Sequence, residues 1–201
     1  MAGKAGQDMA GASKSGSGGE ARKLTAQQLD NAALHYLGRY ASSSANLRRV
    51  LLRKVARAAK AGADTGDAAA QIDALIARYL QSGLLDDRAY AAQRVASLAR
   101  RGTSRFSIAG KLAQKGVSTD LVKEAVRSLD EGGNSEIAAA CALARRRRLG
   151  PYRPAASRAE WRRKDMASLA RAGFGLDLAR RILDARDIAA LEALARGDAE
   201  T

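Results

Sequence analysis

The stretch Leu112–Leu121, LAQKGVSTDL, returns as LARAGFGLDL at Leu169–Leu178. Both read Leu-Ala, two residues, Gly, an apolar residue, two more, then Asp-Leu. A glycine closing an amphipathic run supplies the left-handed residue that stops a helix, and the Asp-Leu pair opens the next apolar run. A second echo lies upstream, where Ser43-xxx-Leu47-xxx-Leu51 matches Ser104-xxx-Ile108-xxx-Leu112. Similarity that recurs along a chain is the mark of stacked repeats.

Helical spacing fills the units between these markers. Leu29, Ala33, Tyr36, Leu37 and Tyr40 mark the first helix, with Thr25 as its N-cap. Leu47, Leu51 and Val55 mark the second, and Ile72, Leu75, Ile76, Tyr79 and Leu80 the third. The cycle repeats through Ala91, Val95 and Leu98, then Ile108 and Leu112, then Leu121, Val122, Ala125, Val126 and Leu129. It returns through Ile137, Ala140, Cys141 and Ala144, a helix from about Ala159 to Ala172, and Leu178, Ala179, Ile182 and Leu183. The expected fold is all-α: an elongated tandem array of three three-helix repeats behind a disordered N-terminal tail. Its boundaries are a tail at 1–23, repeats at 24–85, 86–131 and 132–190, and a C-terminal tail at 191–201.

Composition agrees. Hydrophobic residues make up 46% of the 201, yet only 4% are aromatic and there are two prolines. Alanine favours helices and fills cores poorly, so units of this size must stack to bury their apolar faces. The Gly-, Ser- and Ala-rich residues 1–23 lack the apolar surface to offset ordering entropy. The single cysteine, Cys141, lies between alanines, a small buried filler that suits a reducing compartment. With neither a signal-peptide core nor an apolar run of about 18 residues, a cytoplasmic protein is expected.

A net charge of +14 points to polyanionic or acidic partners. Residues 39–60, 100–115 and 145–164 hold 21 of the 35 Lys and Arg residues against one acid, Glu160, so the rest of the chain is net acidic. Each window falls at the end of a unit's first helix and runs into its second. Arg48, Arg49, Arg53, Lys54 and Arg57 form the first cluster, and Arg100, Arg101, Arg105 and Lys111 the second. Arg145, Arg146, Arg147, Arg148, Arg153, Arg162 and Arg163 form the third. Stacked units would present these as a discontinuous basic stripe able to neutralise phosphates. Such contacts carry no sequence information, so DNA binding is expected to be weak, salt-sensitive and sequence-indifferent, to single and double strands alike.

No catalytic or metal site and no cofactor is expected. The lone His35 and lone Cys141 cannot assemble a zinc site, and no phosphate-cradling glycine loop occurs. Asp86 and Asp87 are adjacent on a helix, so their carboxylates do not converge on a cation. They sit in SGLLDDRAYA, Ser82–Ala91, where Gly83 follows a helix and Leu84 and Leu85 turn into the junction. Asp86 or Asp87 is then the cap of the next helix, a structural mark of the repeat boundary.

That stretch, the three-unit plan and the basic second helices at Ser43–Lys54 and Ser104–Gly116 resemble the bacterial regulatory protein RecX family, modulators of the RecA recombinase. The resemblance covers roughly residues 25–188, with GLLDDRAYA at 83–91 its most specific element. The chain departs from the usual pattern at 55–68 and in the Arg-rich break at 145–158. The resemblance implies a non-enzymatic protein that binds in the helical groove of RecA–DNA filaments, and a monomer is expected. There it would suppress ATP hydrolysis, strand exchange and co-protease activity, and so regulate DNA repair and the SOS response. The alternative is a sequence-indifferent DNA-binding helical protein or transcription factor.

Overall fold

Serine hydroxyls begin the second helix in two of the units, and their partners explain how the units stack. A computed structural model describes residues 23–131 and 136–196, and among these it holds ten α-helices with no strand. The first unit comprises α1 (Ala26–Leu37), α2 (Ser44–Lys60) and α3 (Ala68–Gln81); the second comprises α4 (Asp87–Arg100), α5 (Arg105–Gln114) and α6 (Thr119–Glu131). The third holds α7 (Glu136–Arg147), α8 (Arg158–Arg171), α9 (Leu176–Asp184) and α10 (Ile188–Arg196), with two short 3-10 turns between α7 and α8. The all-α expectation stands. The N-terminal tail, but for Lys23, lies outside the described residues, as does the Gly132–Asn134 junction.

Local chemistry sets the helix ends. Thr25 and Gln28 form a reciprocal capping box on α1. Ser43 and Ser104 accept the amide N–H of Asn46 and Ser107 to open α2 and α5. At the other end Gly102 and Gly116 adopt left-handed φ values of 71° and 77°, and the next residue's N–H reaches back to the carbonyls of Leu98 and Leu112. Both are Schellman ends. Arg148 takes the same left-handed position after α7, with φ 54°, where the second unit uses Gly102 after α4.

The buried apolar residues gather in three clusters, one per unit. Leu29, Leu47, Leu51 and Ile72 anchor the first; Val95, Ile108 and Leu112 the second; Leu143, Leu169, Ile182 and Leu191 the third. Each fully buried leucine or isoleucine contributes about 1.5–3 kcal/mol. Alanines fill several of the other positions, Ala139, Ala140, Ala144 and Ala179 in the third unit alone.

Leu191 marks a departure from the sequence reading. The expected boundary at 190 falls inside α10, which Asp187 caps by accepting the Ala190 N–H at 2.8 Å, and Leu191 is fully buried against α7. Residues 191–196 thus continue α10, which places Leu191 in the third unit's core and packs Ala195 against it, while 197–201 lie outside the described residues. The apolar face of α7 is mostly alanine and cysteine, and the extra helix supplies the bulk that those side chains lack.

Between units the second helices meet end to end. Ser43 Oγ donates to the Lys115 carbonyl at 2.5 Å, at the C-terminal end of α5. Ser104 Oγ donates to the Ala172 carbonyl at 2.6 Å, at the C-terminal end of α8. Each serine caps its own helix and ties it to the next unit. Carboxylates reinforce both joints: Asp87 accepts from Ser44, and Glu136 accepts the Arg105 N–H at 3.1 Å. The N-terminus of α2 therefore meets the C-terminus of α5, and that of α5 the C-terminus of α8, a favourable contact of opposite partial charges. The glycine of the repeated motif is required here twice over. A Cβ on Gly116 would lie 2.5 Å from Ala45 Cβ, and one on Gly173 would lie 2.5 Å from Ser104 Oγ.

Candidate polyanion-binding surface

The basic windows lie along this line of second helices and at the ends of the first helices beside it. Many cations are held by partners within the chain. Arg48 pairs with Asp73 through two hydrogen bonds of 2.6 and 3.0 Å, which lowers the Asp73 carboxyl below its ordinary range. Arg162 pairs with Asp184, and Arg105 with Glu136. Arg147 donates to Ser168 Oγ at 2.9 Å.

Arg153 is the most committed of them. Its Nε and Nη2 donate to Asp165, at 2.8 and 2.7 Å, and Asp165 is only 2% exposed. The same carboxylate accepts the Gly150 N–H at 3.0 Å. Arg153 also lies over the Trp161 ring, 4.4 Å from its centroid, and Lys164 Nζ approaches that ring at 4.2 Å. Sequence reading placed Arg153 among the binding residues and passed over Asp165 and Trp161. The spacing of Trp161 and Asp165 along one face of α8 was the available signal, but its meaning depends on where the 148–157 loop returns.

Two further arginines join one window to the next. Arg49 Nη2 donates to the Gln114 carbonyl at 2.5 Å, linking the first window to Lys111 and Lys115. Arg146 Nη1 donates to the Arg101 carbonyl, linking the third window to Arg100 and Arg101. Of the cations singled out from the sequence, those with exposed side chains that make no hydrogen bond to described residues are Arg53, Lys54 and Arg57 on α2, Arg100 at the end of α4 and Arg101 after it, Lys111 on α5, Arg145 on α7 and Arg148 after it, and Arg163 on α8. Phe106, beside Arg105, is 80% exposed and escaped the sequence reading.

Asp86 and Asp87 divide the role that sequence gave to either. Asp86 caps α4, accepting the Ala89 N–H at 2.9 Å. Asp87 accepts the Ser44 N–H at 2.7 Å and the Ser44 hydroxyl at 2.6 Å, capping α2 of the preceding unit. His35 is exposed on α1. Cys141 is buried, and burial pushes its thiol up to about 11. Among the described residues no group of three His, Cys, Asp or Glu could hold a metal ion, and no helix is long and apolar enough to cross a membrane.

A stack of small helical units, joined through helix ends and carrying outward cations along the joined helices, defines a tandem helical-repeat protein with a basic surface. Residues 86–126 match the RecX second three-helix domain. The chain is 44% identical over 165 residues to the regulatory protein RecX of Myxococcus xanthus, covering 81% of this chain and 88% of that one. Its counterpart in Thermobifida fusca is 35% identical over 147 residues, covering 69% of this chain and 77% of the relative. That of Agrobacterium fabrum is 30% identical over 155 residues, covering 76% and 80%. No solved structure matches the chain significantly. The chain belongs to the RecX family of regulatory proteins.

Proposed function

We propose that this protein is a non-enzymatic modulator of the RecA recombinase. It binds as a monomer in the groove of the RecA–DNA filament and suppresses ATPase, strand exchange and co-protease activity. In the cytoplasm this would temper DNA repair and the SOS response. The observation that carries the reading, beside family membership, is the joining of the three basic windows through Arg49 with Gln114 and Arg146 with Arg101. A linear surface of this kind suits a helical polymer, because several modest contacts gain strength by being linked.

The exposed cations Arg53, Lys54, Arg57, Arg100, Arg101, Lys111, Arg145, Arg148 and Arg163 are assigned to phosphates or acidic recombinase surface. Arg48, Arg153 and Arg162 are assigned to bracing their own units internally, since each already pairs with a carboxylate of the same unit. RecA's single-strand-dependent ATPase, titrated with this protein in the nanomolar to micromolar range of specific complexes, tests the reading. Inhibition should weaken with added salt and with the pair Arg145→Glu and Arg148→Glu. Unchanged ATPase with folded wild-type protein would overturn it.

A further inference from the structure

Three of the chain's five tyrosines, Tyr36, Tyr40 and Tyr90, line one cleft of about 510 Å³ where the first unit meets the second. Only 4% of the chain is aromatic, so this concentration is far from the average. The cleft also takes in Arg39, Arg94, Arg100 and Lys115, and no acidic residue lines it. Tyr36 and Tyr90 also pack against the cores of their own units, but Tyr40 belongs to neither core.

Their surroundings differ in a useful way. Tyr36 is anchored, its Oη accepting from Asn46 Nδ2 at 3.1 Å, while Asn46 Oδ1 accepts from Lys115 Nζ at 3.3 Å. Tyr40 sits beside it, ring centroids 5.2 Å apart, and is 56% exposed. Tyr90 is half-buried at the start of α4, contributed by the other unit. Tyr40 and Tyr90 also border an adjoining apolar groove lined by Leu34, Leu37 and Leu84. An exposed ring among unopposed cations is a surface for something flat and anionic. Unpaired nucleotides have that chemistry: bases stack on aromatic faces in any sequence, and phosphates meet Lys and Arg. A duplex hides its base faces, and an acidic peptide offers no ring to stack.

We propose that the cleft between the first two units binds unpaired nucleotides of a single-stranded nucleic acid, bases stacking on Tyr40 and Tyr90 and phosphates meeting Arg39, Arg94, Arg100 and Lys115. The proposal rests on the polyanion-binding part of the function proposed above and adds a strand-selective site to it.

The test needs no RecA. Fluorescein-labelled dT20, an abasic 20-mer and a 20-base-pair duplex are titrated with the full chain by fluorescence anisotropy. Tyr40→Ala, at an exposed position, should melt like wild type yet weaken dT20 binding about 5- to 100-fold, the effect of losing one stacked base. Tyr40→Trp should restore it, and duplex binding should not change. Arg94→Ala should reduce the salt slope for dT20 by about one. A folded Tyr40→Ala protein that binds dT20 as wild type does would overturn the site. So would an abasic 20-mer that binds as tightly as dT20, or polyglutamate that competes as well as unlabelled dT20. If wild type binds all three oligomers equally, the stacking site fails and the basic surface stands. If it binds none while RecA inhibition is also absent, the broader reading fails as well.

Discussion

Asp87 on α4 accepts both the amide and the hydroxyl of Ser44 on α2, at 2.7 and 2.6 Å, so a carboxylate in one unit caps the second helix of the unit before it. The relation recurs one unit on, where Glu136 receives the Arg105 amide. Burial raises the Glu136 carboxyl above its ordinary range, although the Arg105 N–H and guanidinium act against that shift. Repetition of the joint makes it a property of the array.

Separating the two aspartates should separate two effects. Asp86→Ala and Asp87→Ala should each cost about 1 kcal/mol, the usual worth of an N-cap. Only Asp87→Ala should raise hydrogen exchange at the Ser44 amide, because Asp86 serves Ala89. Chemical denaturation with amide exchange checks this, and equal exchange at Ser44 in both variants would contradict the assignment.

Glycines at helix ends should not be equivalent. Gly62 and Gly102 both have left-handed φ, 82° and 71°, but a Cβ at Gly62 meets nothing, whereas one at Gly102 would lie 2.6 Å from the Leu143 amide nitrogen. Gly62→Ala should cost about 1 kcal/mol for its φ alone. Gly102→Ala should cost about 1–3 kcal/mol more, because α7 must move away. Thermal melts of the two variants would show the difference.

Asp165→Ala should be among the most damaging single changes. It strands Arg153 and the Gly150 N–H, and removing one partner of a buried pair costs about 3–5 kcal/mol. A urea midpoint within error of wild type would show that the pair does not hold the 148–157 loop.

Arg148→Gly should stabilise the chain by about 1 kcal/mol, since glycine accepts the left-handed conformation at φ 54° without strain. If Arg148 also meets a polyanion, the same variant melts higher and inhibits RecA less. A lower melting temperature would show that the arginine side chain compensates its own strain.

Cys141 should resist alkylation in the folded protein and react on unfolding. Burial holds its thiol near about 11, against roughly 8.5 when unfolded. The folded state therefore keeps a proton that the unfolded state releases between those values. This contribution to stability is present below about pH 8.5 and is lost as pH rises through the folded value. Iodoacetamide labelling in native buffer, then in urea, reads the first part; denaturation at pH 8 and 10 reads the second. Rapid native labelling would refute the burial argument.

Most of the helices were legible because their causes are local. Leucines spaced three and four apart, Thr25 before Gln28, and glycine after an apolar run all act within a turn or two of chain. Repeats were legible because LAxxG and its following Asp-Leu recur. The tenth helix was missed because IAALEALAR is short and its cap signal, Asp187, stands beside Arg186 in a stretch otherwise read as an ending.

The sequence by itself determined the all-helical class, most of the helical segments and where the positive charge concentrates, since backbone propensity, apolar period and charge are properties of neighbouring residues. Only the tertiary structure decided what each polar group is for. Ser43 and Lys115 are 72 residues apart, Ser44 and Asp87 are 43, and Ser104 and Ala172 are 68. No local rule pairs such positions. Their contacts arise when thin, alanine-rich cores force units to stack, and the same stacking joins the basic windows and brings Tyr90 beside Tyr36 and Tyr40.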